Sequence, residues 1–226
     1  MTKYYWGPID SSITFCEDKY VNSKYIAEYY NTISGILYLL VGLYFINSKI
    51  KKIGYVIFIM GLGTMCLHGT LRWYGQWSDE LSMLTLIYIY IKNIYYDISY
   101  DYLYLIVGSY VTFHENHNVF LFLFISLLIY QYIATQYIII DYNTRYWRNL
   151  YLIFILSGFL CWILDRICFT KTINYHVFWH ILSGFASFSG SMVYYENRKL
   201  LDKKAEIISK WYRKLIIKRK KKSKII

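Results

Sequence analysis

Long apolar stretches alternate with short polar connections along the chain. Residues 25–48, 53–71, 81–96, 118–140, 149–164 and 174–195 carry almost no charge. A bilayer hydrocarbon core about 30 Å thick asks roughly 17–25 apolar residues of a crossing helix, and most of these runs approach that length. They also lack the regular polar stripe of a helix that faces water on one side. The pattern predicts seven spanning helices, near 27–47, 53–72, 80–96, 100–113, 118–140, 149–168 and 174–195, with the fourth unusually short. The fold class is therefore all-α, an integral membrane bundle of seven transmembrane helices. A single Pro in 226 residues suits long unbroken helices. Residues 1–196 are expected to form the membrane domain, and residues 197–226 a basic cytosolic tail.

Charge changes the picture through its position. The formal net charge of +11 suggests a polyanionic partner. Thirteen of the 25 Lys and Arg residues, however, fall between Arg198 and Lys224, directly after the last apolar run. A basic cluster beside a membrane helix faces anionic cytosolic lipid, at about 1 kcal/mol per side chain. Anionic lipid, and not nucleic acid, is the expected partner of the tail. Ile207, Ile208, Trp211, Leu215 and Ile216 recur there at helical spacing, which suits an interfacial amphipathic helix. A solvated tail that only fixes topology fits the same residues. With the C-terminus cytosolic, seven spans put the N-terminus outside or in a lumen, and the Lys and Arg residues then divide nineteen inside to six outside. Met1 to Asp10 has no apolar core, so no signal peptide is expected.

Ionisable residues at membrane depth are costly and point to chemistry. His176 and His180 are four apart, on one face of the seventh predicted helix. Two His at this spacing can turn both imidazoles to one metal ion. His68 ends the second predicted span, in the same outer leaflet. Asp79 opens the third span and Asp165 closes the sixth, both at that level. Three neutral His with an open fourth position is the ligand set that lowers a bound water's pKa to about 7, and a nearby carboxylate such as Asp79 can take and return the proton. Thr64 lies one turn before His68, where its hydroxyl could donate to a developing oxyanion. His114 and His117 flank an outer loop and are expected to be loop residues, and Asp97 and Asp101 to be solvated. Cys66 and Cys161 fall inside spans as packing residues.

Four stretches resemble the alkaline ceramidase family, within the wider superfamily of seven-span membrane hydrolases that includes the adiponectin-receptor-like proteins. They are the N-terminal Y-W-G-P-I-D-S-S-I-T-F-C-E-D-K-Y, then Y-I-A-E-Y-Y-N-T-I-S at 25–34, then C-L-H-G-T-L-R with D-E-L-S-M, and finally H-V-F-W-H-I-L-S-G preceded by C-W-I-L-D-R. They run in order from residue 4 to about 195. The resemblance implies a zinc ion held by His68, His176 and His180, with Asp79 as proton shuttle. The implied reaction is hydrolysis of ceramide to a long-chain base and a fatty acid, by a multi-pass protein of the endoplasmic reticulum, Golgi or plasma membrane. Thr64 stands where the family normally has Ser.

The family also has a calcium site near the N-terminus. Phe15, Glu17 and Glu28 match it, whereas Thr14 and Lys19 replace an acid and an Asn. Calcium requires 6–8 oxygen ligands, so Lys19 is expected to stand in for the ion by pairing with Glu17 and Glu28. Cys16 and Cys168 both fall on the outer side, where disulfides persist, and are expected to bridge. Two further readings stay open: a hydrolase of the same superfamily acting on a different lipid, and a non-catalytic seven-helix receptor with structural zinc.

Overall fold

The computed structural model describes residues 4–95, 97–138 and 141–222, with side chains described through residue 210. Eight helices and no strand occur among the described residues: α1 (Tyr29–Ser34), α2 (Ile36–Ile46), α3 (Lys51–Thr70), α4 (Trp73–Ile94), α5 (Asp101–Thr112), α6 (His117–Thr135), α7 (Tyr142–Arg166) and α8 (Tyr175–Lys222). α1 and α2 meet at Gly35, which is itself helical in φ and ψ. Four helical segments, Tyr29–Ile46, Lys51–Thr70, His117–Thr135 and Tyr142–Arg166, are long and apolar enough to cross a membrane. α5 spans about 18 Å by its helical rise, well short of a hydrocarbon core.

The surface of this bundle is more apolar than that of a protein in water. Leu40, Ile59, Phe122, Leu156 and Leu160 point outward and are at least half exposed, while Gln131, Ser191, Glu28 and the three candidate histidines are buried. An outer shell of apolar side chains around an interior that mixes apolar clusters with buried polar groups matches a lipid solvent, in which interior polar groups must satisfy one another.

Helices α2, α3 and α4 pack in sequence, α7 packs on α8, α4 touches α6, and α8 returns to α2. The α3–α4 pair comes very close. A Cβ placed on Gly63 would stand 2.7 Å from the backbone nitrogen of Asp79, and one on Gly75 would stand 2.7 Å from the Cα of Leu67. Both are contacts that only Gly permits. Leu71 ends α3 in a left-handed turn, its N–H returning to Leu67 O, and its own carbonyl receives the N–H groups of Asp10 and Ser11. The N-terminal segment is thereby laid across the end of the bundle where the candidate site residues gather.

Three elements differ from the expected spans. α4 begins at Trp73, seven residues ahead of the predicted span, because the polar and aromatic W-Y-G-Q-W-S-D-E stretch packs as helix against α3. α7 begins at Tyr142, with Asp141 as its cap accepting the Thr144 N–H. α8 continues through residue 197 without a break, so the basic segment extends the last helix. The Trp211, Leu215 and Ile216 side chains lie outside the described residues.

Candidate active site

His68 comes from the last turn of α3, and His176 and His180 from the first two turns of α8. Their ring centroids are 4.9, 4.8 and 4.5 Å apart, taken as His68–His176, His68–His180 and His176–His180. One ring nitrogen from each lies within 4.8 Å of the others, and all three residues are at most 2% exposed. The spacing suits a single ion shared by the three.

Hydrogen bonds decide which nitrogens are free. His68 Nδ1 is 2.6 Å from Glu28 Oε2, so the proton sits on Nδ1 and leaves the Nε2 lone pair, which is buried without a partner. Ser34 donates its hydroxyl hydrogen to Asn31 O and lies 2.7 Å from His180 Nδ1. His180 Nδ1–H must therefore be the donor, and again Nε2 keeps its lone pair. His176 Nδ1 is buried with no hydrogen-bond partner, 3.9 Å from Asp165 Oδ2. Three buried imidazoles that bring one ring nitrogen each within 4.8 Å of the others form a donor set that fits zinc, and the Glu28–His68 pair is the carboxylate support such ligands use.

Asp79, in the first two turns of α4, lines the cavity shared with His176 and His180. Thr64 lies opposite on α3, and its hydroxyl is 2.5 Å from Asp79 Oδ1 and 2.9 Å from Met60 O. One hydrogen cannot serve an oxyanion at the same time, so in this state Thr64 orients Asp79. The Gly63 contact lets the α4 backbone approach closely enough for the bond.

The N-terminal segment covers the histidines. Phe15 lies tilted against both His176, with ring centroids 3.8 Å apart, and His68, at 4.7 Å. Cys16 N donates to Asp165 Oδ2 at 3.2 Å, and Cys16 is disulfide-bonded to Cys168 with a Cα–Cα distance of 5.4 Å. The Lys19 ammonium sits among Phe15 O, Glu17 O at 2.6 Å and Glu28 Oε1 at 2.5 Å. These residues do not fit a calcium ion, because the ammonium fills the space between the oxygens.

One detail differs from the expected pairing of Lys19. It meets Glu17 through the backbone carbonyl. The Glu17 carboxylate instead caps α1, accepting from Tyr30 N and Asn31 N, and from Asn174 Nδ2 ahead of α8. The Glu28 carboxylate holds four donors at once: His68 Nδ1, Lys19 Nζ, Asn31 Nδ2 and Phe15 N.

Sequence reasoning missed Glu80, and it assigned His117 to a loop. The structure corrects this. His117 opens α6, its side chain is 11% exposed, and its Nδ1 lies 2.9 Å from Glu80 Oε1 within the bundle. The signal was the acid beside Asp79, whose partner could be found only across helices. His114 does sit in the turn before α6, with its Nδ1 against Val111 O.

The cavity at the histidines is narrow, about 30 Å³. A second cavity of about 40 Å³ adjoins it, sharing Met83, Phe124 and Trp179, and continues between Tyr38, Leu86 and Ile155.

A helical membrane protein that buries three convergent imidazoles beside a carboxylate, under a disulfide-anchored cover, belongs to the class with a metal-competent site inside its helical bundle. The family model described as Ceramidase matches residues 7–219, past residue 195 where the motif resemblance ends and into the basic segment. The chain belongs to the ceramidase family. It is 33% identical over 215 residues to an alkaline ceramidase of Arabidopsis thaliana, covering 81% of this chain and 82% of that one. It is 27% identical over 222 residues to alkaline ceramidase 3 of Mus musculus, with 82% and 83% covered. A shorter match, 34% over 87 residues, joins it to an alkaline ceramidase of Drosophila melanogaster, covering 34% of this chain and 31% of that one.

Proposed function

We propose that the chain is a zinc-dependent ceramidase, hydrolysing the amide bond of ceramide or a closely related lipid to a long-chain base and a fatty acid. The observation that carries this reading is the set of three buried imidazoles, two with a lone pair left free by their own hydrogen bonds, of which His176 and His180 line one cavity with Asp79. Family membership supports the substrate class. When bound there, zinc supplies Lewis-acid chemistry, polarising the amide carbonyl and acidifying water.

The chain's own groups do the rest. Asp79 takes a proton from the attacking water and passes it to the amide nitrogen as the C–N bond breaks, leaving a carboxylic acid and an amine. Thr64 holds the carboxylate of Asp79 in position for both transfers. Phe15 and the disulfide-anchored N-terminal segment exclude bulk water from above. The apolar second cavity receives part of a hydrocarbon chain, so the tails remain in an oily environment while the amide reaches the histidines.

The accompanying topology has seven spans, with the N-terminus and the site on the outer or lumenal side, in the endoplasmic reticulum, Golgi or plasma membrane. The Lys and Arg residues of the C-terminal segment meet anionic lipid on the other side. The Lys19 ammonium replaces calcium as the cation beside Glu28.

Purified protein assayed on labelled ceramides, with zinc content measured on the same samples, tests the reading. Wild type turns over ceramide and carries about one zinc per chain, whereas His176→Ala loses both. Wild type that retains zinc but hydrolyses no ceramide or related lipid would favour a receptor with structural zinc.

A further inference from the structure

The buried cluster around Glu80 takes no part in the reaction as drawn, yet it borders the same cavity. The Glu80 carboxylate receives the Tyr110 hydroxyl at 2.6 Å, His117 Nδ1 at 2.9 Å and Gln76 Nε2 at 3.2 Å to each oxygen. Gln76 is fixed in turn by Ser12, accepting its N–H at 2.7 Å and donating to its hydroxyl at 2.6 Å. Each group facing Glu80 is a donor, so the carboxylate serves as acceptor only and the His117 proton belongs on Nδ1.

That leaves His117 Nε2 with a lone pair. It is buried and has no hydrogen-bond partner. The ring is held between Phe120 at 5.4 Å and Trp162 at 6.3 Å, so it cannot easily turn away. His117 lines the cavity with Asp79, His176 and His180. An unsatisfied buried acceptor is costly, and here four polar side chains orient it toward the place where substrate would lie.

We propose that His117 is a specificity-determining residue, its Nε2 accepting a hydrogen bond from a hydroxyl of the long-chain base. The proposal rests on the ceramidase reading above. The choice of partner follows from the chemistry of an N-acylated amino alcohol. Its carbonyl oxygen offers only lone pairs, and its amide nitrogen must face Asp79 to receive the proton. The hydroxyls are the donors that remain.

The test measures kcat/KM for ceramide and for analogues lacking the 1-hydroxyl or the 3-hydroxyl, on wild type, His117→Asn and His117→Gln. Asn places an amide donor near the position of Nδ1 and removes Nε2, whereas Gln returns an acceptor near Nε2. Wild type should prefer ceramide over one of the two analogues by at least about 10-fold. His117→Asn should lose ceramide turnover by a similar factor, leave that analogue unchanged and abolish the preference, and His117→Gln should restore part of it. Equal losses on ceramide and analogue in His117→Asn would show a structural role and overturn the proposal. So would wild type hydrolysing both analogues as fast as ceramide, a result that needs no variant to fold. Wild type inactive on every ceramide would instead overturn the ceramidase reading, and this proposal with it.

Discussion

At the scale of the residue, the site is a matter of which lone pairs are committed and which are free. Thr64 and Asp79 form one unit. Asp79→Asn should keep its metal content and lower kcat by about 10²- to 10⁴-fold, the usual worth of a positioned proton carrier. Thr64→Val removes the hydroxyl at nearly constant volume and should lower kcat by at least about 10-fold, whereas Thr64→Ser should remain near wild type. An active Thr64→Val would remove the hydroxyl from the account. Lys19 is the second unit. Chelating calcium should leave turnover unchanged, and Lys19→Met should destabilise the fold by about 3 kcal/mol, because it takes the ammonium partner from the buried Glu28 carboxylate. Stoichiometric calcium in chelator-free protein would contradict this. The three His and Asp79 were legible because spacing and topology put rare ionisable groups at one depth, and Lys19 because it stands where the resemblance to the family puts a calcium ligand. His117 was not, because its meaning lies in Glu80, thirty-seven positions away on another helix.

The elements set how closely those residues meet. Gly63 brings the α4 backbone against α3 at Asp79. Gly63→Ala should force the helices apart, costing about 1–3 kcal/mol and lowering turnover with the three imidazoles intact. Activity equal to wild type, at equal metal content, would show that the Thr64–Asp79 contact tolerates the shift. Asp141 caps α7, and the Thr144 N–H holds its carboxyl below the usual carboxylate range. Asp141→Ala should cost about 1 kcal/mol in thermal unfolding. A lowered acid contributes above its unfolded value, so the wild-type advantage should shrink as pH falls through the folded one. Hydropathy located the helix interiors well. It missed the first turns of α4, where polar residues fold as helix because α3 and the N-terminal segment satisfy them, and it missed the unbroken extension of α8.

For the molecule as a whole, the N-terminal segment ties the cover to the helices that carry the site. Cys16–Cys168 joins it to the segment before α8, and Asp10 pairs with Arg72 at 2.9 Å beside the end of α3. On the opposite end, Lys49 pairs with Asp202 on the extended α8. Cys16→Ser should abolish the mobility shift on reduction and destabilise the protein by about 2–4 kcal/mol. An unchanged shift would place the bridge elsewhere.

Zinc K-edge absorption on detergent-purified, ceramide-active protein tests the central claim most directly. Three imidazole nitrogens and one oxygen at about 2.0–2.1 Å are predicted, with the imidazole signal collapsing in His176→Ala. Active protein that contains no zinc, or zinc bound through sulfur, would contradict the account.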